Sequence, residues 1–313
     1  MTRSQIEYVL AVNQFKSFGK AAEHCHITQS TLSAMVAKFE SQIGIIIFNR
    51  KTKPISTTEQ GEAVLQKLKN IEREFITFDE SISQLKGIQS GQLSMACIPT
   101  VAPYLFPSIL GNLERSFPKV NFIIREITTS EIISNILSGK IDVGIVSTPL
   151  NHPEIIESPL YNEAFVLYDK RDNYSQSANN QIDINELDYN RLLLLEEGHC
   201  FRNQVVKICN LRQKKTVKSN ITYTSGTIES LKNVVTVNKG ITLLPYLSAS
   251  VLAPTEKKHI KYFQPPVPVR EIGLVHHKNF VKSSLANGIK ELIKKQVEKR
   301  VNPSEMFEVI DPF

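Results

Sequence analysis

No stretch of this 313-residue chain approaches the roughly 18 uninterrupted apolar residues of a membrane-spanning helix. Its start, MTRSQIEYVL, lacks the basic segment and following apolar run that mark a secretory signal. These two absences point to a cytoplasmic protein with no membrane partner. Cysteine is scarce: the four are Cys25, Cys97, Cys200 and Cys209, and no two of them form a C-x-x-C pair. Zinc sites draw on clustered ligands of that kind, so neither a metal nor any other cofactor is expected. A reducing compartment keeps thiols free, and a disulfide there reads as a transient signal rather than a structural staple. Cys25 and Cys97 fall in apolar patterns and read as small core fillers.

Acidic residues are few near the start. Residues 1–58 carry seven basic side chains against three acidic ones, in a chain of net charge +6. Such an excess permits nucleic-acid binding without establishing it. A second basic run, Lys290, Lys294, Lys295, Lys299 and Arg300, reads as the solvated face of a last helix with its cations near the C-terminal end.

Turning to what is present, residues 3–14 carry Ile6, Val9 and Leu10 at helical spacing. A short second helix, from Phe18 to about His24, holds Ala21 and Ala22, small enough for another helix to approach. Thr28 offers an N-cap to a third helix whose expected buried stripe is Leu32, Met35, Val36, Phe39 and Ile43. The opposite face is short-chained, polar and free of acids. Gln29, Ser30, Thr31, Ser33 and Lys38 there suit a helix lying in the major groove of double-stranded DNA. After Gly44, the run IIIFNRKTKPIS reads as a strand breaking into a basic hairpin, with Arg50, Lys51 and Lys53 placed for phosphate contacts. A generic three-helix domain is the alternative. The run AAEHCHITQSTLSAMVAKFESQIGIIIFNR resembles the helix-turn-helix and wing of the LysR family of transcription regulators in order and spacing.

A long helix follows, capped near residues 57–60 and running to about Lys86. Val64, Leu68, Ile71, Phe75, Phe78, Ile82 and Leu85 recur along it at alternating intervals of four and three, a coiled-coil a/d seam that predicts self-association. Two DNA-reading heads joined in this way would bind dyad-related half-sites. A hinge is expected at Gly87–Gly91. From there strand and helix patterns alternate: LSMACI, a helix from Pro103 to Phe117, NFIIRE, a helix from Ser130 to Ser138, DVGIV, AFVLY, LLLL, a helix from about Phe201, ITY, a helix from Thr227 to Val237, ITLLP and IGLVHH. This alternation predicts an α/β fold with parallel sheets. The units are therefore 1–58, a winged helix-turn-helix; 59–87, a dimerisation and linker helix; and 88–313, a regulatory module. The LysR resemblance implies that this module has two lobes, like a periplasmic solute-binding protein. It also implies a homodimer or homotetramer that works with RNA polymerase. Pockets in such sheets lie beyond the carboxyl ends of the strands, which selects Cys97–Thr100 and Glu196–Cys200.

Cys200 stands between a strand and a helix in EEGHCFRNQVVKICN. The helix start, Arg202 and a protonated His199 are three features that favour its thiolate, the form that attacks peroxide. Cys209 lies nine residues on; if the segment is helical, the two thiols are about 13 Å apart and on opposite faces. A disulfide needs Cα atoms within about 7 Å, so it requires the helix to unwind. Spacing alone leaves two readings open, a switch and a pair of incidental buried thiols. GHCFRNQ with the second cysteine nine residues later, together with CIPTVAPYLFP, TTSEI, LSGKIDVGIV, SGTIESLKN and GITLLP, resembles the peroxide-sensing OxyR branch of the LysR family. That resemblance implies hydrogen peroxide as the signal, Cys200 as the reactive thiol and Cys209 as its resolving partner. It also implies that Thr100, Thr129, His199, Arg202 and Arg270 bind or activate peroxide. Asn203 stands where several members of that branch carry an acid. The rival readings are a LysR regulator responding to a small metabolite in the inter-lobe cleft, and a metal or thiol site built on Cys200, His199, His276 and His277. The tail VNPSEMFEVIDPF carries no readable pattern.

Overall fold

The computed structural model describes residues 1–85, 91–171, 180–187, 191–209, 225–298, 301 and 306–313. The chain divides into two compact units, Met1–Gly87 and Ile88–Phe313. The expected helix end at Lys86, most of the Gly87–Gly91 hinge, the ITY strand, Lys299 and Arg300 lie outside the described residues.

In the first unit, α1 (Arg3–Phe15) opens on a capping box in which Thr2 and Gln5 satisfy each other's backbone N–H groups. Helix α2 (Phe18–His24) is capped by Ser17, and α3 (Gln29–Ile43) starts at Thr28, whose hydroxyl accepts from Thr31 N–H, and ends at Gly44 with φ 69°. Ile6, Val9, Val12, Ala21, Leu32, Val36 and Phe39 close the core. Met35, expected on the buried stripe, is instead exposed, because the packed face of α3 is the narrower line Leu32–Val36–Phe39. Gln29, Ser30, Thr31 and Lys38 are exposed, with Ser33 half-buried beside them. The wing is the two-residue ladder β1 (Phe48–Asn49) with β2 (Ser56–Thr57). Its root is a buried carboxylate. Glu40 accepts from Ile47 and Phe48 N–H at 2.8 and 3.1 Å and from Arg50 Nη2 at 2.9 Å. Arg50, expected on phosphate, is thus tied to Glu40 and Ser33 and lies over the Phe18 ring, whereas Lys51 and Lys53 are exposed.

The long helix α4 (Glu59–Leu85) uses much of its seam within its own subunit. Leu68 is buried against the helix-turn-helix core, as is Leu65 from outside the seam, and Val64, Ile71 and Phe75 pack partly on the same cluster. A four-three repeat specifies a stripe but not what covers it. Phe78 and Ile82 stay exposed, with the side chain of Leu85 outside the described set, so the part of the expected dimer seam left open lies at the C-terminal end.

The second unit is a mixed sheet with helices packed against it. Its elements are β3 (Gly91–Cys97), α5 (Ala102–Ser116), β4 (Val120–Glu126), α6 (Thr129–Leu137), β5 (Val143–Thr148), β6 (Ile155–Asp169) and β7 (Gln181–Ile182). They continue with α7 (Cys200–Ile208), α8 (Ile228–Val237), β8 (Ile241–Pro245), α9 (Tyr246–Ser250), α10 (Pro254–Lys257), β9 (Ile260–Phe263), β10 (Val267–His277), α11 (Ser283–Val297) and β11 (Phe307–Val309). Strands β4, β3 and β5 are parallel, as the alternation predicts. Strand β6 runs antiparallel to β10, β8 and β9, and β10 runs antiparallel to β5, which the alternation does not predict. Strand β6 pairs with β10 through its first two-thirds and with β8 and β9 thereafter, so one continuous strand passes from the first lobe into the second. The expected LLLL strand reduces to one bridge, Leu192 to Ile241. Gly144 on β5 has a structural role: a Cβ there would lie 2.5 Å from Ile132 Cγ2, so its absence lets α6 sit close on the sheet. No helix among the described residues is long and apolar enough to cross a membrane.

Candidate functional site

Parallel pairing of β3 with β4 sets Cys97 opposite Glu126. Three residues beyond each comes a threonine, Thr100 just before α5 and Thr129 in the first turn of α6. Equal offsets from a shared register carry both hydroxyls past the carboxyl ends of their strands, where α/β sheets place their sites. Both threonines are buried, as are His199, Cys200 and Arg270. Cys200 is the first residue of α7 and His199 its N-cap, so the positive helix end with its free N–H groups lies at the thiol.

Arg270, on β10, is 1% exposed, among the largest fully buried side chains. Its Nη1 donates to Thr100 Oγ1 at 2.8 Å and its Nη2 to the Thr100 carbonyl at 3.1 Å. Its Nε and Nη2 donate to Glu163 Oε2 at 3.0 and 2.8 Å. The guanidinium also lies 5.3 Å from the centre of the Phe201 ring, which stacks on Phe165. Arg202 differs from its sequence-based assignment. It donates to the Leu195 carbonyl at 3.1 Å and lies 3.8 Å from Glu197, whereas the cation that favours the Cys200 thiolate is Arg270. His199 Nε2 sits 3.7 Å from Glu196 Oε1.

Burial pushes the Cys200 thiol up from its ordinary value. Arg270, the Thr129 hydroxyl and the N–H groups of Phe201 and Cys200 pull the other way without overcoming it. The helix start acts as the sequence suggests, but desolvation wins. A thiol with a raised pKa ionises later as pH rises. Alkylation of Cys200 by iodoacetamide is therefore expected to keep accelerating above about pH 10, where an exposed cysteine has levelled off. Mass-spectrometric rate measurement against pH checks this; a plateau at or below neutrality would contradict it. Burial raises Cys97 as well, with Glu126 adding to the effect.

Gln204, which the sequence reading missed, stands one turn after Cys200 on the same face of α7, a position that i, i+4 spacing identifies. It is fully buried, and its Nε2 donates to Ser147 Oγ at 3.2 Å, at the carboxyl end of β5, and to the Ile310 carbonyl at 2.6 Å. Its Oε1 and the Thr129 Oγ1 are buried without a partner of full hydrogen-bond geometry. Glu163, also missed, has no local signal in the sequence.

Cys209 is the C-cap of α7 and buried, and neither it nor Cys200 is in a disulfide. The intact helix of nine residues holds the two Cα atoms about 13 Å apart. The tail fastens to this helix. Strand β11 pairs in parallel with the start of β10, and Asn203, Gln204 and Lys207 donate to the carbonyls of Pro312, Ile310 and Phe313. Asn203, at the position where an acid is common, thus holds the tail. Deleting residues 306–313 is expected to lower the hydrogen-exchange protection of α7 while leaving α11 unchanged. Equal protection in both chains would show that the tail does not support the helix. His276 and His277 lie six or more residues along β10 from Arg270, about 20 Å away, and His277 faces Glu154.

Residues 86–298 match the LysR substrate binding domain, and residues 4–62 match the bacterial regulatory helix-turn-helix protein of the lysR family. The hydrogen peroxide-inducible genes activator of Haemophilus influenzae is 31% identical over 278 residues, 88% of this chain and 90% of that protein. The DNA-binding transcriptional dual regulator OxyR of Escherichia coli is 31% identical over 280 residues, 88% and 89% of the two chains. A full-length OxyR variant from Pseudomonas aeruginosa superposes with a TM-score of 0.71 at 27% identity, covering 94% of this chain and 98% of that one. With a winged helix-turn-helix, a two-lobed sheet module and these relatives, the chain belongs to the LysR family of DNA-binding transcription regulators, in its OxyR branch.

Proposed function

We propose that the protein is a cytoplasmic, hydrogen-peroxide-responsive transcription activator that switches through Cys200 and Cys209. One observation carries the reading. A buried thiol at a helix start lies in the field of a buried arginine that holds the Thr100 hydroxyl, and two buried oxygens, Thr129 Oγ1 and, one turn along α7, Gln204 Oε1, have hydrogen-bonding capacity to spare. Because Thr100 Oγ1 accepts from Arg270, its own hydrogen is directed elsewhere, and peroxide both donates and accepts. A small, uncharged, two-ended hydrogen-bonding ligand suits these buried groups better than a bulky metabolite.

The chemistry balances without a cofactor. The Cys200 sulfur attacks one peroxide oxygen; the S–O bond forms as the O–O bond breaks. Sulfur is oxidised by two electrons, and the thiol proton leaves with the departing oxygen as water. The Cys209 thiol then displaces the sulfenic hydroxyl, forming a disulfide and a second water. That bond cannot span intact α7, so oxidation unwinds the helix and releases what is fastened to it. Thr100, Thr129, His199 and Arg270 are assigned to the peroxide site together with Gln204, while Arg202 is assigned to holding the Leu195 loop.

The test is peptide mapping of alkylated full-length protein before and after peroxide. The expected product is a Cys200–Cys209 linked peptide; a Cys209 that stays alkylatable after oxidation overturns the switch. For the DNA-binding unit, with Gln29, Ser30, Thr31, Ser33 and Lys38 at bases and Lys51 and Lys53 at phosphates, affinity for a dyad-symmetric duplex is expected to fall steeply with salt. The loss is on the order of a thousandfold between 50 and 200 mM if about six phosphates are neutralised. A flat response would remove the groove assignment. Phe78, Ile82 and Leu85 are assigned to the contact between subunits of a homodimer or homotetramer, and RNA polymerase is the expected partner of the activating form.

A further inference from the structure

Arg270 is held in one orientation, and what holds it comes from behind the site. Glu163 lies on β6 at the point where that strand leaves β10 for β8, and it is 1% exposed. Both of its oxygens are engaged. Oε2 accepts from Arg270 Nε and Nη2, and Oε1 accepts from Leu247 N–H at 2.8 Å, in the first turn of α9. Four of the five guanidinium hydrogens are then used, two on Glu163 and two on Thr100. The fifth is on Nη1, the nitrogen that also holds the Thr100 hydroxyl. A planar fork so fixed presents its remaining donor in one direction.

We propose that Glu163 is a positioning residue for the oxidation of Cys200: it fixes the Arg270 guanidinium on Thr100 and balances the positive charge that acts on the thiol. The proposal rests on the peroxide reading above, and the step it serves is thiol plus peroxide giving sulfenic acid plus water. The carboxylate has two separable effects. It orients Arg270 and, through it, Thr100, which favours peroxide. It also opposes the field of Arg270 at the sulfur, which keeps the resting thiol protonated. Among the described residues, the other charged or titratable groups near this cluster are Glu196, His199 and Arg202 beside the thiol in the chain, Tyr104 on α5 with Glu229, and Cys97 on β3 with Glu126 opposite it.

Two reagents separate the effects. Iodoacetamide reads thiolate alone, whereas peroxide reads thiolate and geometry together. Rates at Cys200 are measured by mass spectrometry on reduced full-length protein from about pH 6 to about pH 10. In Glu163→Gln the iodoacetamide profile is expected to move to lower pH by roughly one unit, because Arg270 acts without a counter-charge. At equal thiolate fraction the peroxide rate is expected to fall about tenfold, because Thr100 and Arg270 are no longer held in place. Glu163→Asp keeps the charge and should leave the iodoacetamide profile where it is. An unmoved profile in Glu163→Gln, or equal slowing of both reagents, overturns the proposal. In an Arg270→Gln background, adding Glu163→Gln should leave the peroxide rate at equal thiolate fraction unchanged, and a change there would show that Glu163 does not position the site through Arg270. Glu163→Asp, which keeps the carboxylate, carries the comparison where Glu163→Gln alone does not fold: its peroxide rate at equal thiolate fraction is expected to fall, and a rate equal to the parent's overturns the positioning role. Should peroxide leave Cys200 untouched in the unsubstituted chain, the peroxide reading fails. The iodoacetamide shift still decides whether Glu163 sets the charge at the thiol.

Discussion

Replacing Cys200 with serine is expected to abolish peroxide-driven disulfide formation and induction altogether, leaving Cys209 fully alkylatable. A serine hydroxyl is almost wholly protonated at any pH the protein tolerates and is a far weaker nucleophile than a thiol. Neither Cys25 nor Cys97 can substitute, since Cys97 is buried on β3 with its thiol held protonated and Cys25 lies in the first unit. The effect is all-or-none because Arg270, Thr100 and Thr129 act only through what sits on the Cys200 sulfur. Cys209→Ser has a different signature. The Cys200 thiol is still lost to peroxide, the sulfenic acid is trapped by dimedone, and no linked peptide forms. A reporter that still responds to peroxide in Cys200→Ser would leave the field to a regulator of the metabolite-binding kind.

The second large effect is on stability. Arg270→Met removes the partner of a carboxylate that is 1% exposed, so Glu163 keeps only the Leu247 N–H to offset its burial. Breaking a buried pair in this way costs about 3–5 kcal/mol. For a unit of this size that corresponds to a fall in melting temperature of roughly 10 °C. Calorimetry of the full chain is expected to show the loss in the transition of the second unit, with the helix-turn-helix unit unaffected. Arg270→Lys should cost less, because it keeps the charge, yet it cannot grip Glu163 and Thr100 together in a planar fork. A melting temperature within a degree or two of the parent in Arg270→Met would mean that the second unit does not depend on this pair.

The two predictions concern residues that were legible in the sequence to very different extents. Cys200 stood out through its motif, while the importance of Arg270 came only from its resemblance to an arginine common in the branch. Local periodicity located every helix but the short α9 and α10, since a capping residue such as Thr28 and apolar stripes at 3.6-residue spacing are properties of neighbouring residues. It located β3, β4 and β5 for the same reason. Periodicity could not determine that β6 and β10 run antiparallel, because strand direction depends on how distant segments pair. It also could not separate the part of the α4 seam that packs on its own helix-turn-helix from the part left open, because an apolar stripe looks the same whatever covers it.

The cysteine pair divides along the same line. Residue spacing by itself determined that Cys200 and Cys209 cannot bond across an intact helix, which is a matter of rise per residue. The tertiary structure decided which cation acts on the thiol and in which direction its pKa moves. Arg202, two residues away in sequence, is taken up by the Leu195 carbonyl, whereas Arg270, seventy residues away, is brought to the site by β10 and locked by Glu163. Burial then outweighs every favourable charge at the sulfur, and burial is a property of the assembled core that no local segment carries.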